Sequence, residues 1–383
     1  DRLAAIMRAN PWLAGRLQQG EALDQVRQKG EKGLDLVYPT VCDAGIASQY
    51  LQCLNNKLSH EMDFMEVAKA LDDAGAYVKV GKECVGQDEP LFKLCLAEFE
   101  SKSQFALIMS LSHVIADGPT FYTVHNALSA DHAVVALNPE RKANAHPAID
   151  RALGGPEQAL LMSAIPMGFY FFMATRVLAS LLFGPRIEFC MYTINASFVE
   201  EQKAAAKASG DVSFVSTNDV ITSAVCKASG SFVAMMAVNF RGRVDEVEAC
   251  DAGNYQNVIL YRPEDYQNPG LIRASIQPLR RAASPATAIP SFWEFATTST
   301  PFMNLTNWAT SHKGVELDGC KECQHFPIMK MPDFVPSRVQ SNAVIFNLES
   351  GKLGLFMMGT RVLHDAVRAS GLVGEAPEWP VLP

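Results

Sequence analysis

A histidine followed after three residues by Asp-Gly closes the most constraining stretch of this sequence, which runs Leu-Ile-Met-Ser-Leu-Ser-His-Val-Ile-Ala-Asp-Gly over positions 107–118. The stretch before His113 is rich in β-forming residues, and Gly118 leads into Pro119, a residue favoured at the first position of a helix. The imidazole is therefore expected where a strand ends and a helix begins. A base at such a junction is exposed enough to react and rigid enough to be aimed.

The rest of the chain is large enough to support such a site. It has 383 residues, 48% hydrophobic and 19% charged, more than one compact domain needs, so two domains of similar size are expected. The boundaries are placed at 1–160 for the half carrying His113, 161–185 for an apolar crossover and 186–383 for the second half. The formal net charge of -8 and the absence of a basic stripe exclude nucleic acid as the expected partner. Nine cysteines, an odd number spread over a chain with ample core, indicate reduced thiols in an intracellular, reducing compartment, cytoplasm or organelle. Cys320 and Cys323, with His325 nearby, form half of a zinc motif with no second half, so no metal is expected. The chain starts at Asp1 rather than Met, so a targeting segment upstream would not be visible in it.

Residues 159–184 are apolar apart from Arg176, but Pro166, Gly168 and Arg176 interrupt the ~20 apolar residues a bilayer crossing needs. A buried or interfacial helix fits better. It would line an acyl or acceptor channel, rest on a membrane surface or join a larger complex.

Periodicity predicts helices over 61–74, 119–130, 197–208 and 216–230. The third would open on a capping box at Ser197 and Glu200 and stop at Gly210. The fourth would be capped by Thr217 or Asn218. Strands are expected over 88–99 and 103–112, paired as a hairpin with the second, mostly apolar strand central. Further strands are expected over 231–240, 304–310 and 343–356, and helix with loop over 285–301.

His113 with Asp117-Gly118 resembles the HxxxDG signature of the BAHD and chloramphenicol-acetyltransferase type of acyl-CoA-dependent acyltransferases, and of the related condensation domains and wax ester synthases. Further phrases resemble the same superfamily in the same order: Pro11-Trp-Leu-Ala-Gly-Arg-Leu17, Asp88-Glu-Pro-Leu-Phe-Lys93, Ser216-Thr-Asn-Asp-Val-Ile-Thr-Ser-Ala224, Val238-Asn-Phe-Arg-Gly-Arg243 and Leu305-Thr-Asn-Trp308. Two departures mark the subfamily. The BAHD phrase D-F-G-W-G is reduced to Asp318-Gly319, and Ser112 stands where condensation domains carry a second histidine.

The resemblance implies an α/β fold of two similar chloramphenicol-acetyltransferase-like domains, with mixed sheets flanked by helices and a tunnel between them. It implies transfer of an acyl group from acyl-CoA, a co-substrate rather than a tightly bound cofactor, to a hydroxyl or amine of a small hydrophobic acceptor. His113 would be the general base. Asp117 would pair with Arg241 and orient the loop, with Gly118 allowing close backbone approach and an unusual dihedral. Thr306 would donate to the oxyanion, and Trp308 and Asn239 would bind substrate. Arg243, Lys227 and Arg338 are the candidate coenzyme A cations. The rival expectation is a catalytically inactive acyltransferase-fold subunit that binds or scaffolds within a larger complex.

Overall fold

A computed structural model describes residues 1–20, 33–55, 57–100, 103–155, 184–284, 302–320, 324–328 and 340–374, with isolated positions at 178, 182, 291, 293 and 294. The apolar segment 159–184, the helix expected over 285–301 and Arg338 fall wholly or almost wholly outside these residues. No helix among the described residues is long and apolar enough to cross a membrane.

The first helix, Arg2–Ala9, breaks at Asn10 before Pro11, as proline requires, and a 3-10 turn Pro11–Ala14 follows. Asn10 is buried, and its side chain donates to the Val135 carbonyl and accepts from Leu137 N–H. Strands β1 (Arg16–Gly20) and β2 (Gly33–Val37) then form an antiparallel ribbon.

β3 (Leu51–Cys53), β4 (Phe92–Glu98) and β5 (Phe105–Leu111) form a small sheet in that order. β4 and β5 make the expected hairpin, with Phe92 opposite Leu111 and Glu98 opposite Phe105. The expected centre is corrected: β5 lies at the edge of this sheet and β4 at its middle. β5 is apolar for another reason: its side chains are half-buried and line a cavity.

Six strands make the large sheet: β6 (Ile187–Thr193), β7 (Ala234–Asn239), β8 (Gln256–Tyr261), β9 (Phe302–Asn307), β10 (Gln340–Glu349) and β11 (Lys352–Thr360), in the order β6-β11-β10-β9-β7-β8. β9 runs parallel to both β7 and β10, while the other pairs are antiparallel, so the sheet is mixed. Val220, Ile221 and Val225 of the helix Thr217–Ser229 join Met236, Ile259 and Leu305 in the main core.

Two helix starts differ from expectation. Asn195, not Ser197, caps the helix Ala196–Ser209, accepting from Phe198 N–H at 3.3 Å. Ser216, not Thr217 or Asn218, caps Thr217–Ser229, in a reciprocal box with Asp219. Both helices end at left-handed glycines, Gly210 and Gly230.

A loop after β7 stitches the second half onto the first. Asn138 and Asp251 form a bridge, with Asn138 N–H donating to the Cys250 carbonyl and Ala252 N–H to the Asn138 carbonyl, both at 2.8 Å. Asp117 N–H donates to the Gly253 carbonyl at 3.0 Å. The strand-to-helix junction at His113 is thus clamped from across the molecule.

Candidate active site

Asp117 organises the junction. It is the N-cap of the helix Gly118–Asn126, where Oδ1 accepts from Thr120 N–H at 3.1 Å and from the Thr120 hydroxyl at 2.9 Å. Its other oxygen accepts from Tyr255 N–H at 3.0 Å. Arg241, just beyond the end of β7, meets the carboxylate as a fork, Nη1 to Oδ2 at 2.7 Å and Nη2 to Oδ1 at 3.0 Å. The pair is desolvated, with side-chain exposures of 6% for Arg241 and 0% for Asp117. Charge-assisted, bidentate pairs of this kind fix geometry as well as energy.

The remaining guanidinium hydrogens are also used. Arg241 Nε donates to the Asp251 carbonyl at 2.8 Å, and Nη2 reaches the Thr120 hydroxyl at 2.9 Å and the Gly253 carbonyl at 3.1 Å. Its Cζ lies 5.2 Å from the centre of the Tyr255 ring. The ion pair is therefore the hub of a network joining the His113 loop to residues 251–255.

His113 sits on this hub but outside its core. The residue is exposed and lines the cavity. Its backbone is held by Asn254, whose Nδ2 donates to the His113 carbonyl at 2.7 Å and to the Val114 carbonyl at 3.2 Å. Among the described residues nothing bonds to the imidazole, while the backbone beneath it is pinned.

Gly118 does not take the unusual dihedral expected of it: the positive φ in this network belongs to Gly253, at 139°. Nor is the space at Gly118 exceptionally tight. A Cβ there would stand 3.7 Å from Cδ1 of the Trp308 indole, an ordinary contact. Trp308 follows β9 directly and lines the cavity wall beside Gly118. Thr306, two residues earlier on the same strand, also lines the cavity.

The other expected residues are placed elsewhere. Asn239 is not in the cavity wall; its Oδ1 accepts from Arg241 N–H at 3.2 Å and from Arg241 Nη1 at 3.1 Å, so it braces the arginine. Arg243 donates to the Ile276 carbonyl at 3.1 Å, and Lys227 lies in the last turn of its helix; neither lines the cavity. Among the described residues, cations at the cavity wall are Lys79, paired with Glu89, and exposed Lys313. Nothing in their local sequence marks them out.

The cavity, about 3160 Å³, runs between β5, the helix Gly118–Asn126 and the central strands β9 and β10 of the large sheet. Its wall also holds a cluster of three histidines, of which the sequence singled out only His325, as a neighbour of the half zinc motif at Cys320 and Cys323. His125, His312 and His325 stand with ring centres 4.1–5.7 Å apart, against Tyr122. Burial pushes the proton affinity of His125 down to about 3, helped by the adjacent His325 and His312 rings. His325 is pushed down to about 3 by burial and His312, and His312 to about 4 by burial alone. All three are neutral at physiological pH. No group of three side chains suited to holding a metal is found among the described residues, and Cys323 lies outside them.

No protein-family profile matches the sequence, and no curated protein is significantly similar to it. Solved structures cover nearly the whole chain. Vinorine synthase aligns with a TM-score of 0.50 and 14% identity over 98% of this chain and 84% of its own. TRI101 of F. graminearum, solved with ethyl coenzyme A, aligns at 0.50 and 14% over 96% and 87%. The first condensation domain of the calcium-dependent antibiotic synthetase aligns at 0.50 and 11% over 100% and 89%. At these identities the likeness concerns the fold alone, and this chain shares the mixed α/β fold of vinorine synthase, TRI101 and that condensation domain.

Proposed function

We propose that this chain is an acyltransferase that moves an acyl group from acyl-CoA to a hydroxyl or amine of a hydrophobic acceptor, with His113 as general base. The carrying observation is the buried fork between Asp117 and Arg241, which together with Asn254 fixes the backbone of an exposed histidine at a cavity wall. TRI101, one of the proteins with this fold, was solved with a coenzyme A derivative, which supports the same donor here.

In this reading an unprotonated ring nitrogen of His113 takes the proton from the acceptor as its oxygen or nitrogen bonds to the thioester carbonyl carbon. Imidazole is the side chain best suited to taking and returning a proton in such a transfer. The carbonyl oxygen becomes an oxyanion, for which Thr306 offers a hydroxyl from the wall. Collapse breaks the C–S bond, and the imidazolium returns its proton to the departing thiolate. The products are the ester or amide and free coenzyme A. Asp117 acts through the loop and touches no reactant; Trp308 supplies an apolar wall.

The test is free-thiol release from acetyl-, hexanoyl- and benzoyl-CoA with a panel of alcohols and amines. Acceptor-dependent release by the wild type, reduced about 10²–10⁴-fold in His113→Ala, is expected. No release with any donor, together with stable capture of the chain in a complex, would overturn this reading in favour of the inactive binding subunit.

A further inference from the structure

The histidine cluster lies well away from the reacting centre. His125 is seven residues beyond Gly118 on the same helix, about 10 Å of helical rise. Tyr122 bridges the interval, its ring 6.1 Å from that of Trp308 and 5.8 Å from that of His125. Tyr122, Trp308 and all three imidazoles line the same cavity.

The hydrogen bonds assign one tautomer. His325 Nδ1 is 3.0 Å from the Asn347 carbonyl, which can only accept, so Nδ1 carries the proton. His325 Nε2 is then an acceptor, and the Tyr122 hydroxyl donates to it at 3.2 Å. The other two rings are not satisfied in this way. His125 Nδ1 and His312 Nδ1 are buried without a hydrogen-bond partner. The His312 imidazole, only 9% exposed, bonds to none of the described residues through either nitrogen. A buried N–H without a partner is costlier than a buried lone pair, which favours placing the proton on Nε2 in both rings. The cluster then offers N–H donors and no net charge.

We infer that this cluster is a recognition site for an uncharged oxygen, a hydroxyl or carbonyl, carried by a cavity ligand that packs against Trp308, with buried Tyr122 holding the rings from behind. A carboxylate would enter a neutral, desolvated wall as an uncompensated charge, whereas a neutral oxygen meets the open donors at little cost. Two tunnel ligands can supply that oxygen, the acceptor or the pantetheine arm of coenzyme A. This choice of ligands rests on the acyl-transfer reading, but the chemistry of the wall does not.

The experiment is ¹⁵N NMR of histidine side chains in the full chain, titrated with benzyl alcohol, pantetheine, benzoate and toluene. Benzyl alcohol or pantetheine should move the His312 and His125 ring resonances saturably, and benzoate and toluene at equal concentration should not. His312→Phe, which keeps the ring plate and removes the nitrogens, should weaken the active probe about tenfold, the loss of one hydrogen bond. If pantetheine alone acts, the oxygen belongs to the donor; if benzyl alcohol alone acts, to the acceptor; both outcomes support the inference. Equal shifts with toluene or benzoate, no shift with either oxygenated probe, or unchanged binding to His312→Phe would overturn it. Absence of thiol release by the wild type would sink the acyl-transfer reading and leave these shifts standing.

Discussion

Asp117 spends its two oxygens on different tasks: one caps a helix and the other accepts a backbone N–H from the second half of the chain, while both share Arg241. Asp117→Asn keeps a capping oxygen but leaves the guanidinium desolvated without its counter-charge. Breaking such a buried pair should cost about 3–5 kcal/mol, read as a lower urea midpoint at unchanged m-value. Asn254 makes the opposite case. Its bonds to the His113 and Val114 carbonyls are on the exposed side of the network, so Asn254→Ala should leave the unfolding midpoint nearly unchanged. As a positioning residue it should lower kcat about tenfold at constant KM for both substrates, because the imidazole loses its aim and the pocket does not change. At this scale the sequence carried Asp117 and Arg241, because a family phrase surrounds each. It carried neither Asn254 nor the histidine cluster. Those contacts join residues 141 and 203 positions apart, and no local pattern records them.

Elements were legible where the signal is local. The Asp88–Phe99 and Ser103–Ser112 runs give the expected hairpin, and Gly210 and Gly230 end their helices in the expected conformation. Misplaced caps have a physical cause: several side chains near each start offered a capping oxygen, and at the helix Ala196–Ser209 the point where the chain leaves the sheet chose among them. Ile194 still bridges Val373, so Asn195 is the first residue free to turn. The apolar run of β5 misled for a different reason, since a strand facing a cavity reads like one buried in a sheet. The β10–β11 hairpin carries a constraint that alternation does not reveal. Gly354 pairs with Phe346, and a Cβ at Gly354 would stand 2.2 Å from Cζ of that fully buried ring. Gly354→Ala should therefore cost about 1–3 kcal/mol, measured by thermal unfolding.

For the whole molecule, stability should fall on acidification. His125 and His325 hold folded values of about 3 and His312 about 4, all below the ~6.5 of an unfolded chain, and buried His364 is shifted in the same direction. Between those limits the unfolded state binds more protons. The stabilisation is complete above about pH 6.5 and is lost as pH falls to about 4 for His312 and about 3 for His125 and His325. Each ring contributes a slope of up to about 1.4 kcal/mol per pH unit, and His312→Phe should reduce the total slope by one ring's share. Urea unfolding at several pH values checks this.

The same fold places a pinned, exposed histidine at a cavity wall to which both ends of the sequence contribute, and the central claim is that this histidine takes the acceptor's proton. The most direct measurement is kcat/KM for thiol release from the best acyl-CoA and acceptor, wild type against His113→Gln, on protein whose unfolding midpoint is unchanged. A loss of about 10²-fold or more is the expected result. A His113→Gln enzyme that turns over at the wild-type rate would contradict the account.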